Sequence, residues 1–267
     1  MQKPLIFLDC ETATLTGAPH LLELGALRVS DGEAQDHFVS LVRPMVEIDP
    51  GATEYHGITD EDVRDAPLTQ EVLERFVEWA GDDWFVAHNA GSDAQILGFE
   101  FARYGIPAPE QPFLDTLKLA KRFLPDAPDH KLSTLCAFLE LEEGNLHRAL
   151  DDATYCWQVL EACVEEMESA PDATGLLGLC GTPVTIASAG PDPPRMSPRL
   201  RPLQRACDRG DSVDLLYGES SSAPAKLPVF PRMLFRRNQK SYLEAECERS
   251  GTLKTYRLDR IQRVFPR

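Results

Sequence analysis

The stretch LIFLDCETATLTG, residues 5–17, decides the fold of the amino-terminal part of the chain. It opens with an apolar run that is typical of a buried strand, and Asp9 and Glu11 follow two positions apart. Alternate residues of a strand share one face, so both carboxylates leave the sheet on the same side. Burying two unpaired carboxylates is costly, and a cation between them offsets that cost. We therefore expect a metal-binding pair here, with a solvated strand end as the alternative.

A second segment, FVAHNAGSDAQIL at 85–97, has a similar design. Its apolar start predicts a strand, and Asn89, Gly91 and Ser92 predict a tight turn into a helix that begins near Asp93. Taken alone, Asp93 is better explained as an acid that complements the dipole at the amino terminus of a helix. Its candidacy as a ligand depends on the other segments.

A third segment, LHRALDDATYC at 146–156, places His147 just before a predicted helix and Asp152 in the first turns of that helix. This spacing lets both side chains face one site. Asp151 is adjacent, and only one of the two aspartates can point inward, so the residues alone leave that choice open. A lone histidine near a helix start is also commonly a surface residue.

The segments around these three predict an α/β domain over residues 1–169. Residues 21–32 and 34–44 resemble strands and are joined by Asp31-Gly32, a hairpin signal. Three leading strands followed by alternating helices and strands indicate a sheet that is covered by helices. The remaining predictions are a strand at 83–89, a strand end running into a helix at 113–125, and helices at 59–80, 92–105, 131–141 and 149–169.

The composition changes after this domain. Residues 170–199 are rich in Pro, Gly, Ser and Ala, which predicts a linker, although the pieces LLGLC and TPVTIAS could pack locally. Residues 200–267 contain short β-rich segments separated by turn residues, which predict a small all-β barrel or sandwich. The predicted strands are 212–218, 228–237, 241–248 and 254–265.

The overall composition is that of a soluble globular protein, with 43% hydrophobic and 26% charged residues among 267. No apolar run is long enough to predict a membrane span, and the first residues lack the pattern of a secretory signal. The seven cysteines are widely spaced without a CxxC pair, which favours reduced, mostly buried thiols. We therefore expect a cytoplasmic protein that does not bind membranes.

The net charge of −16 is unevenly distributed. Residues 200–267 hold 14 Lys and Arg against 8 Asp and Glu, whereas residues 1–199 hold 13 against 35. This asymmetry predicts two modules with different roles. Divalent ions can neutralise an acidic site that acts on a polyanion, and a basic module can supply long-range attraction.

Together the three segments resemble the motifs of the DEDD-type 3′–5′ exonucleases, in the subclass with a histidine in the third motif. That superfamily includes polymerase proofreading exonucleases, RNase T and exonuclease X, and the resemblance covers about residues 1–168. It implies an RNase H-like mixed sheet flanked by helices, and its third motif selects Asp152 over Asp151. The matching residues are Asp9-Cys10-Glu11, Ala87-His88-Asn89 with Asp93, and His147 with Asp152.

The resemblance implies hydrolysis with two Mg²⁺ or Mn²⁺ ions about 4 Å apart. Asp9 would bridge the ions, Glu11 and Asp152 would complete one site, and Asp93 would hold the second ion. His147 would act as the general base, and the product would be a nucleoside 5′-monophosphate. The implied partner is the 3′ end of single-stranded DNA or RNA, with DNA preferred, and a role in DNA repair is expected.

The residues that contact the terminal nucleotide are less well defined by the resemblance than the metal ligands. The residues after Glu11 depart from the commoner Thr-Thr-Gly of the family, and Ser92 replaces a frequent Phe before the second-motif aspartate. Neither departure changes a residue that the resemblance implies as a metal ligand. The candidate substrate-binding residues are Thr12, Leu15, His88 and Asn89.

The carboxy-terminal segment resembles the WYL domain, which implies an Sm/SH3-like β-barrel that senses a ligand or nucleic acid. Ser241-Tyr242-Leu243 matches the triplet that names the family, without its Trp, and YRLDRI at 256–261 matches part of a downstream stretch. Basic residues with tyrosines among them suit phosphate contacts and base stacking, so a regulatory nucleotide or nucleic acid is an expected ligand. The alternative is a solvated basic face. The candidate residues are Arg232, Arg236, Arg237, Tyr242, Arg257 and Arg260.

Two other functions compete with the nuclease. One is a regulator that uses the exonuclease fold as a scaffold and senses a ligand through its barrel. The retention of four carboxylates and His147 argues against it, because an inactive domain need not keep all five. The other is a proofreading subunit that acts beside a polymerase.

Overall fold

The computed structural model describes residues 3–141, 147–169, 171–218, 225–237 and 239–267. The chain divides into two units, and each is described here by itself. The first comprises Met1–Pro44 with Ile48–Gly190, and the second Met45–Glu47 with Pro191–Arg267.

A six-stranded mixed sheet forms the centre of the first unit. Its strands are β1 Leu5–Thr12, β2 Leu21–Ser30, β3 Glu33–Leu41, β4 Trp84–Ala87, β5 Pro112–Asp115 and β6 Val184–Thr185. They lie in the order β3-β2-β1-β4-β5-β6. β1, β4 and β5 are parallel neighbours, while β2, β3 and β6 run antiparallel to the strands beside them. The predicted mixed α/β fold is therefore confirmed.

Helices cover both faces of this sheet. They are α1 Pro50–His56, α2 Thr69–Ala80, α3 Gly91–Tyr104, α4 Thr116–Phe123, α5 Leu132–Phe138, α6 Ala149–Glu165, α7 Ala173–Leu179 and α8 Ile186–Ala189. Ile6 and Leu8 pack in a core with residues of α2 and α3, whereas Phe7 packs in a second core with residues of α4 and α6. Asp9 and Glu11 share the face of Phe7 because side chains alternate along β1. Both carboxylates consequently project toward the α6 side.

The structure differs from the prediction before α2. We predicted one helix over 59–80, whereas the helix begins at Thr69 and turns precede it. Pro67 explains the difference, because a proline disfavours helical backbone at the residue before it. α1 was not predicted, and its start is capped by Asp49, whose side chain accepts a hydrogen bond from the Gly51 N–H at 3.1 Å.

The segment 170–199, which we predicted to be a linker, is largely structured. α7, β6 and α8 lie in it, and β6 pairs antiparallel with β5, so the chain up to Gly190 belongs to the first unit. Leu176 and Ile186 are buried in the two cores on opposite faces of the sheet. Burial of these few apolar residues outweighs the linker composition around them. Residue 170 itself lies outside the described residues.

The second unit contains an antiparallel sheet with the order β10-β9-β8-β7-β11. Its elements are α9 Arg201–Arg209, β7 Val213–Tyr217, β8 Ala225–Arg237, β9 Lys240–Cys247, β10 Leu253–Arg257 and β11 Ile261–Pro266, with short 3₁₀ helices at Pro198–Leu200 and Leu258–Arg260. No pairing joins β10 to β11 within the described residues, so the sheet is not closed into the predicted barrel. α9 was not predicted; it has Pro202 in its first turn, where proline is tolerated, and it buries Leu203 against the core.

All seven cysteines are unpaired, and six of them are buried, as the sequence predicted. Within the described residues, no helix combines the length and the apolar character that a bilayer crossing requires.

Candidate functional site

Parallel strands bring the first two sequence segments together. β1 and β4 are parallel neighbours, so their carboxyl ends lie at the same edge of the sheet. Asp9 and Glu11 lie at the end of β1, and Asp93 lies in the first turn of α3, shortly after β4. The buried Asp93 accepts a hydrogen bond at Oδ1 from the Cys10 N–H at 3.1 Å. This bond ties the Asp93 carboxylate to the backbone between the two acids of β1.

The start of α6 supplies the third segment. The His147 N–H donates to Asp152 Oδ2 at 3.2 Å, and Asp152 is buried while His147 is exposed. Ligand atoms of Glu11, His147 and Asp152 all lie within 4.8 Å of one another. The other oxygen of Asp152, Oδ1, is buried without a hydrogen-bond partner among the described residues. A buried oxygen of this kind needs a donor or a cation.

His147 has an unusual backbone conformation. Its φ is +67°, in the left-handed region that residues other than glycine rarely adopt. Such conformations persist only where the surrounding structure enforces them, and they cluster at functional sites. The hydrogen bond from the His147 N–H to Asp152 is one of the contacts that enforce it.

Burial raises the pKa of each of the four carboxyl groups. For Asp9 the pKa lies well above its usual value, mainly because of burial and then because of the charges of Asp93 and Asp152. Burial also raises the pKa of Glu11 to about 7, that of Asp93 to about 8 and that of Asp152 to about 6. Carboxyl groups this close cannot all ionise without added positive charge. Divalent ions that prefer oxygen ligands supply such charge, so the donor set fits them.

Glu23 is a site residue that the sequence analysis missed. It lies directly opposite Glu11 in the β1–β2 ladder and is only 1% exposed. Its carboxylate accepts hydrogen bonds from Arg148 Nε at 3.1 Å, Arg148 Nη2 at 2.7 Å and the Ala149 N–H at 3.0 Å. These bonds hold the start of α6, next to His147, against β2. The sequence feature that could have identified Glu23 is that it is the one acid within the apolar residues 21–27 of β2.

Two predicted substrate contacts have partners within the protein. The ring of His88 contacts Thr116 Oγ1 at 2.9 Å through Nδ1 and the His130 carbonyl at 2.8 Å through Nε2. Both ring nitrogens are thus occupied, and His88 bridges two elements of the protein, while its contact with a nucleotide stays a prediction. The Asn89 N–H donates to Asp115 Oδ1 at 3.1 Å, and its left-handed φ of +67° shapes the turn into α3.

Thr12 and Leu15 are the other two predicted substrate contacts. The Thr12 hydroxyl donates to the Thr14 carbonyl at 3.2 Å, and Leu15 is 53% exposed. Tyr55 is 66% exposed and packs edge-on to His147 with ring centroids 6.2 Å apart. Leu15 and Tyr55 are therefore large apolar side chains that the first unit leaves open to contact.

Several predicted basic residues of the second unit are already paired. Arg232 lies in an ion pair with Glu246, Arg236 with Asp192 at 3.0 Å, and Arg257 with Asp259. Tyr242 is half-buried and stacks on Phe235 with ring centroids 5.3 Å apart. Arg237 ends β8 and Arg260 lies in the second 3₁₀ helix. Their predicted role in ligand binding stays a prediction.

Two parts of the chain match known family models. Residues 6–160 match the family model described as Exonuclease, and residues 198–266 match the WYL domain. The chain is 36% identical over 166 residues to the DNA polymerase III PolC-type of Oceanobacillus iheyensis. That alignment covers 60% of this chain but only 12% of the polymerase, so the chain spans about an eighth of that relative.

Solved structures show the same fold. Exonuclease X in complex with 5′-overhanging duplex DNA matches with a TM-score of 0.55 and 28% identity, over 66% of this chain and 99% of that one. The nuclease domain of 3′hExo, a DEDDh family member bound to rAMP, matches with a TM-score of 0.57 over 64% of this chain and 96% of that domain. Its identity is 15%, which supports the fold alone.

Proposed function

The chain belongs to the Exonuclease family, whose model matches residues 6–160, and on that premise we propose that it is a metal-dependent 3′–5′ exonuclease. It hydrolyses phosphodiester bonds of single-stranded nucleic acid, preferably DNA, and releases nucleoside 5′-monophosphates. The observation that carries the proposal is the cluster of Glu11, His147 and Asp152 beside Asp9 and Asp93, with a buried and unpartnered Asp152 oxygen.

Two Mg²⁺ or Mn²⁺ ions are the proposed cofactors. Asp9, Glu11, Asp93 and Asp152 would hold them, which agrees with the pKa values of these four groups, all raised by burial. Bound ions of this kind stabilise the charge of the phosphodiester and lower the pKa of water. Their identity as Mg²⁺ or Mn²⁺ follows from the preference of these ions for hard oxygen ligands.

His147 is the proposed general base. Its ring is exposed at the edge of the cluster, and its backbone is tied to Asp152. Water attacks the phosphorus atom, the bond from phosphorus to the 3′-oxygen of the preceding nucleotide breaks, and His147 takes the proton of the attacking water. The leaving oxygen is protonated from solvent. Proton transfer by a positioned histidine is an ordinary contribution to such hydrolysis.

The terminal nucleotide is proposed to lie between Leu15 and Tyr55. Both side chains are exposed, and Tyr55 contacts the ring of His147. An aromatic ring next to the general base offers a stacking surface for a base, and every base has a face that can stack. This arrangement suits an unpaired 3′ end better than a paired one, because a paired base is not free to stack on protein.

The second unit is proposed to bind nucleic acid or a nucleotide. Its positive charge contrasts with the acidic first unit and supplies attraction for a polyanion. The similarity of residues 198–266 to the WYL domain supports this role.

The test uses matched single-stranded DNA and RNA that carry a 5′ label, with Mg²⁺, Mn²⁺ or EDTA. We expect products that shorten from the 3′ end, release of mononucleotides, and no reaction in EDTA. A phosphorothioate at the last linkage should slow the reaction, while the same group at the 5′ end should not. Absence of metal-dependent release from both polymers contradicts the proposal.

Proofreading is the second candidate, and the similarity to a DNA polymerase III PolC-type favours it. A proofreading enzyme removes a mispaired 3′ nucleotide from duplex DNA faster than a paired one. Equal rates on paired and mispaired termini argue against this candidate.

A further inference from the structure

A polar pocket of about 370 Å³ lies within the second unit. It is formed by the segment before α9, the turn into β9 and the second 3₁₀ helix. Three of the residues lining it are cationic, and most of the others are polar. The lining residues are Arg195, Ser197, Arg199, Leu200, Gln239, Lys240, Ser241, Leu258 and Asp259.

The charge of this pocket comes mainly from three cations. Arg195, Arg199 and Lys240 are exposed, and none of them forms an ion pair within the described residues. The acid in the lining, Asp259, is bound bidentately by Arg257, with Arg257 Nε to Oδ1 at 3.0 Å. The pocket therefore carries uncompensated positive charge, unlike the arginines that pair elsewhere in this unit.

Ser241 leaves room for this pocket. It stands at the position where the triplet of the resembled family has Trp, and its Oγ accepts a hydrogen bond from the Arg195 N–H at 2.9 Å. An indole in place of the hydroxymethyl group would occupy much of the space that Ser241 leaves open. The same hydrogen bond fixes the segment that carries Arg195 and Arg199 against β9. The pocket thus depends on a departure of this chain from the family pattern.

We propose that this pocket binds a phosphate group, carried by a nucleotide or by a nucleic acid strand. Guanidinium groups bind phosphate oxygens through paired hydrogen bonds, and Lys240 adds a point charge. The apolar part of the lining consists of Leu200 and Leu258, and no aromatic ring lines it among the described residues. The ligand is consequently recognised by its phosphate and not by its base. The inference rests on the proposed role of the second unit in binding nucleic acid or a nucleotide.

The test measures binding by the full chain in EDTA, where hydrolysis cannot interfere. Fluorescence anisotropy with labelled oligo-dT gives the affinity and its salt dependence, and AMP, adenosine and inorganic phosphate are added as competitors. The pocket variant combines Arg199→Ala with Lys240→Ala. The control combines Lys254→Ala with Arg263→Ala, two exposed cations of the same unit outside the pocket.

We expect the pocket variant to lose about tenfold or more in affinity and to lower the salt slope by about two, because two phosphate contacts are removed. The affinity of the control variant should change far less. Ser241→Trp should reproduce the loss of affinity by filling the pocket. Competition by AMP and phosphate but not by adenosine supports phosphate recognition. Loss of affinity in the pocket variant without competition by any of the three small molecules supports it as well and identifies a strand as the source of the phosphate.

Equal losses in the pocket and control variants, or competition by adenosine as strong as that by AMP, would overturn the inference. If Ser241→Trp does not fold, the alanine variant still decides the question. A nuclease assay with Mn²⁺ on the same proteins separates this inference from the proposed enzyme. If the wild-type protein shows no nuclease activity but the pocket variant still loses affinity for oligo-dT, the proposed enzyme activity is contradicted and the phosphate pocket is supported.

Discussion

The backbone conformation of His147 is unfavourable by itself and is held by a hydrogen bond to Asp152. Its left-handed backbone carries a conformational cost of about 1 kcal/mol or more. The bond from its N–H to Asp152 offsets part of that cost and places an exposed ring next to two carboxylates. The ring contributes no core packing, so its removal should affect the reaction more than the fold.

We expect His147→Ala to lower the rate of nucleotide release by about 100-fold to 10,000-fold, the range that general bases contribute. The four carboxylates remain, so Mn²⁺ should still raise the melting temperature of the variant. The rate is measured in single-turnover reactions. His37→Ala, which removes an exposed imidazole on β3, serves as the control. A turnover of His147→Ala equal to that of the wild type contradicts the assignment of the base.

Glu23 acts on the site through its neighbours at the start of α6. We expect Glu23→Gln to lower the stability by about 1–3 kcal/mol, because an acceptor for Arg148 or Ala149 is lost from a buried network. We also expect it to lower kcat while KM stays nearly constant, since the residue orients His147 and does not touch the substrate.

A double-mutant cycle distinguishes orientation from general damage. If Glu23 works through His147, Glu23→Gln should cost little further activity in the His147→Ala background. Independent, fully additive losses of activity would show that Glu23 has only a structural role.

At the scale of elements, the position of α6 depends on close contact with β2. A Cβ atom on Gly25 would overlap the backbone of Ala149 and Leu150, so only glycine allows this approach. The helix that carries His147 and Asp152 therefore lies directly against the strand that carries Glu23. The site is assembled by one close packing of a helix on a strand.

We expect Gly25→Ala to displace the start of α6 and to reduce both the stability and the nuclease rate. Gly178→Ala is the matched control, because a Cβ on Gly178 in α7 meets no atom within 4 Å. Alanine in place of glycine inside a helix stabilises by about 0.5–1 kcal/mol, so the two variants should shift Tm in opposite directions. A Gly25→Ala protein with unchanged Tm and unchanged rate contradicts the close approach.

At the scale of the whole molecule, the pKa values of the site make the stability depend on pH and metal. The pKa of Asp93 is raised by burial from 3.8 to about 8, so the folded state holds a proton that the unfolded state releases. The stability associated with a raised pKa is present below the ordinary pKa and is lost as the pH rises through the folded value. Glu11, with a pKa raised to about 7, acts in the same direction.

We therefore expect the Tm of the protein in EDTA to fall as the pH rises from about 5 to about 9, and to fall less in Asp93→Asn. Mg²⁺ or Mn²⁺ should raise the Tm of the wild type, and more at about pH 8 than at about pH 6, because the ions bind ionised carboxylates. Differential scanning calorimetry of both proteins at each pH measures this. A metal effect that does not depend on pH would contradict the proposed ligands.

The sequence by itself determined the elements that carry the site. The apolar run at residues 5–8 encodes β1, and the two-residue spacing of Asp9 and Glu11 places both on one face, since a strand repeats every two residues. The helical starts at Asp93 and after His147 follow from turn and helix signals close to them in the chain. Such features depend on neighbours in sequence, and a single sequence displays them.

Contacts between distant residues needed the tertiary structure. The hydrogen bonds that Arg148 donates to Glu23 join residues 125 positions apart, and no local pattern specifies that pairing. The structure likewise decided that His88 is bonded within the protein and that Arg236 is paired with Asp192. Composition alone predicted a linker where burial of Leu176 and Ile186 creates structure. The physical reason is that periodicity records which face of an element is buried, whereas packing decides which partner meets it.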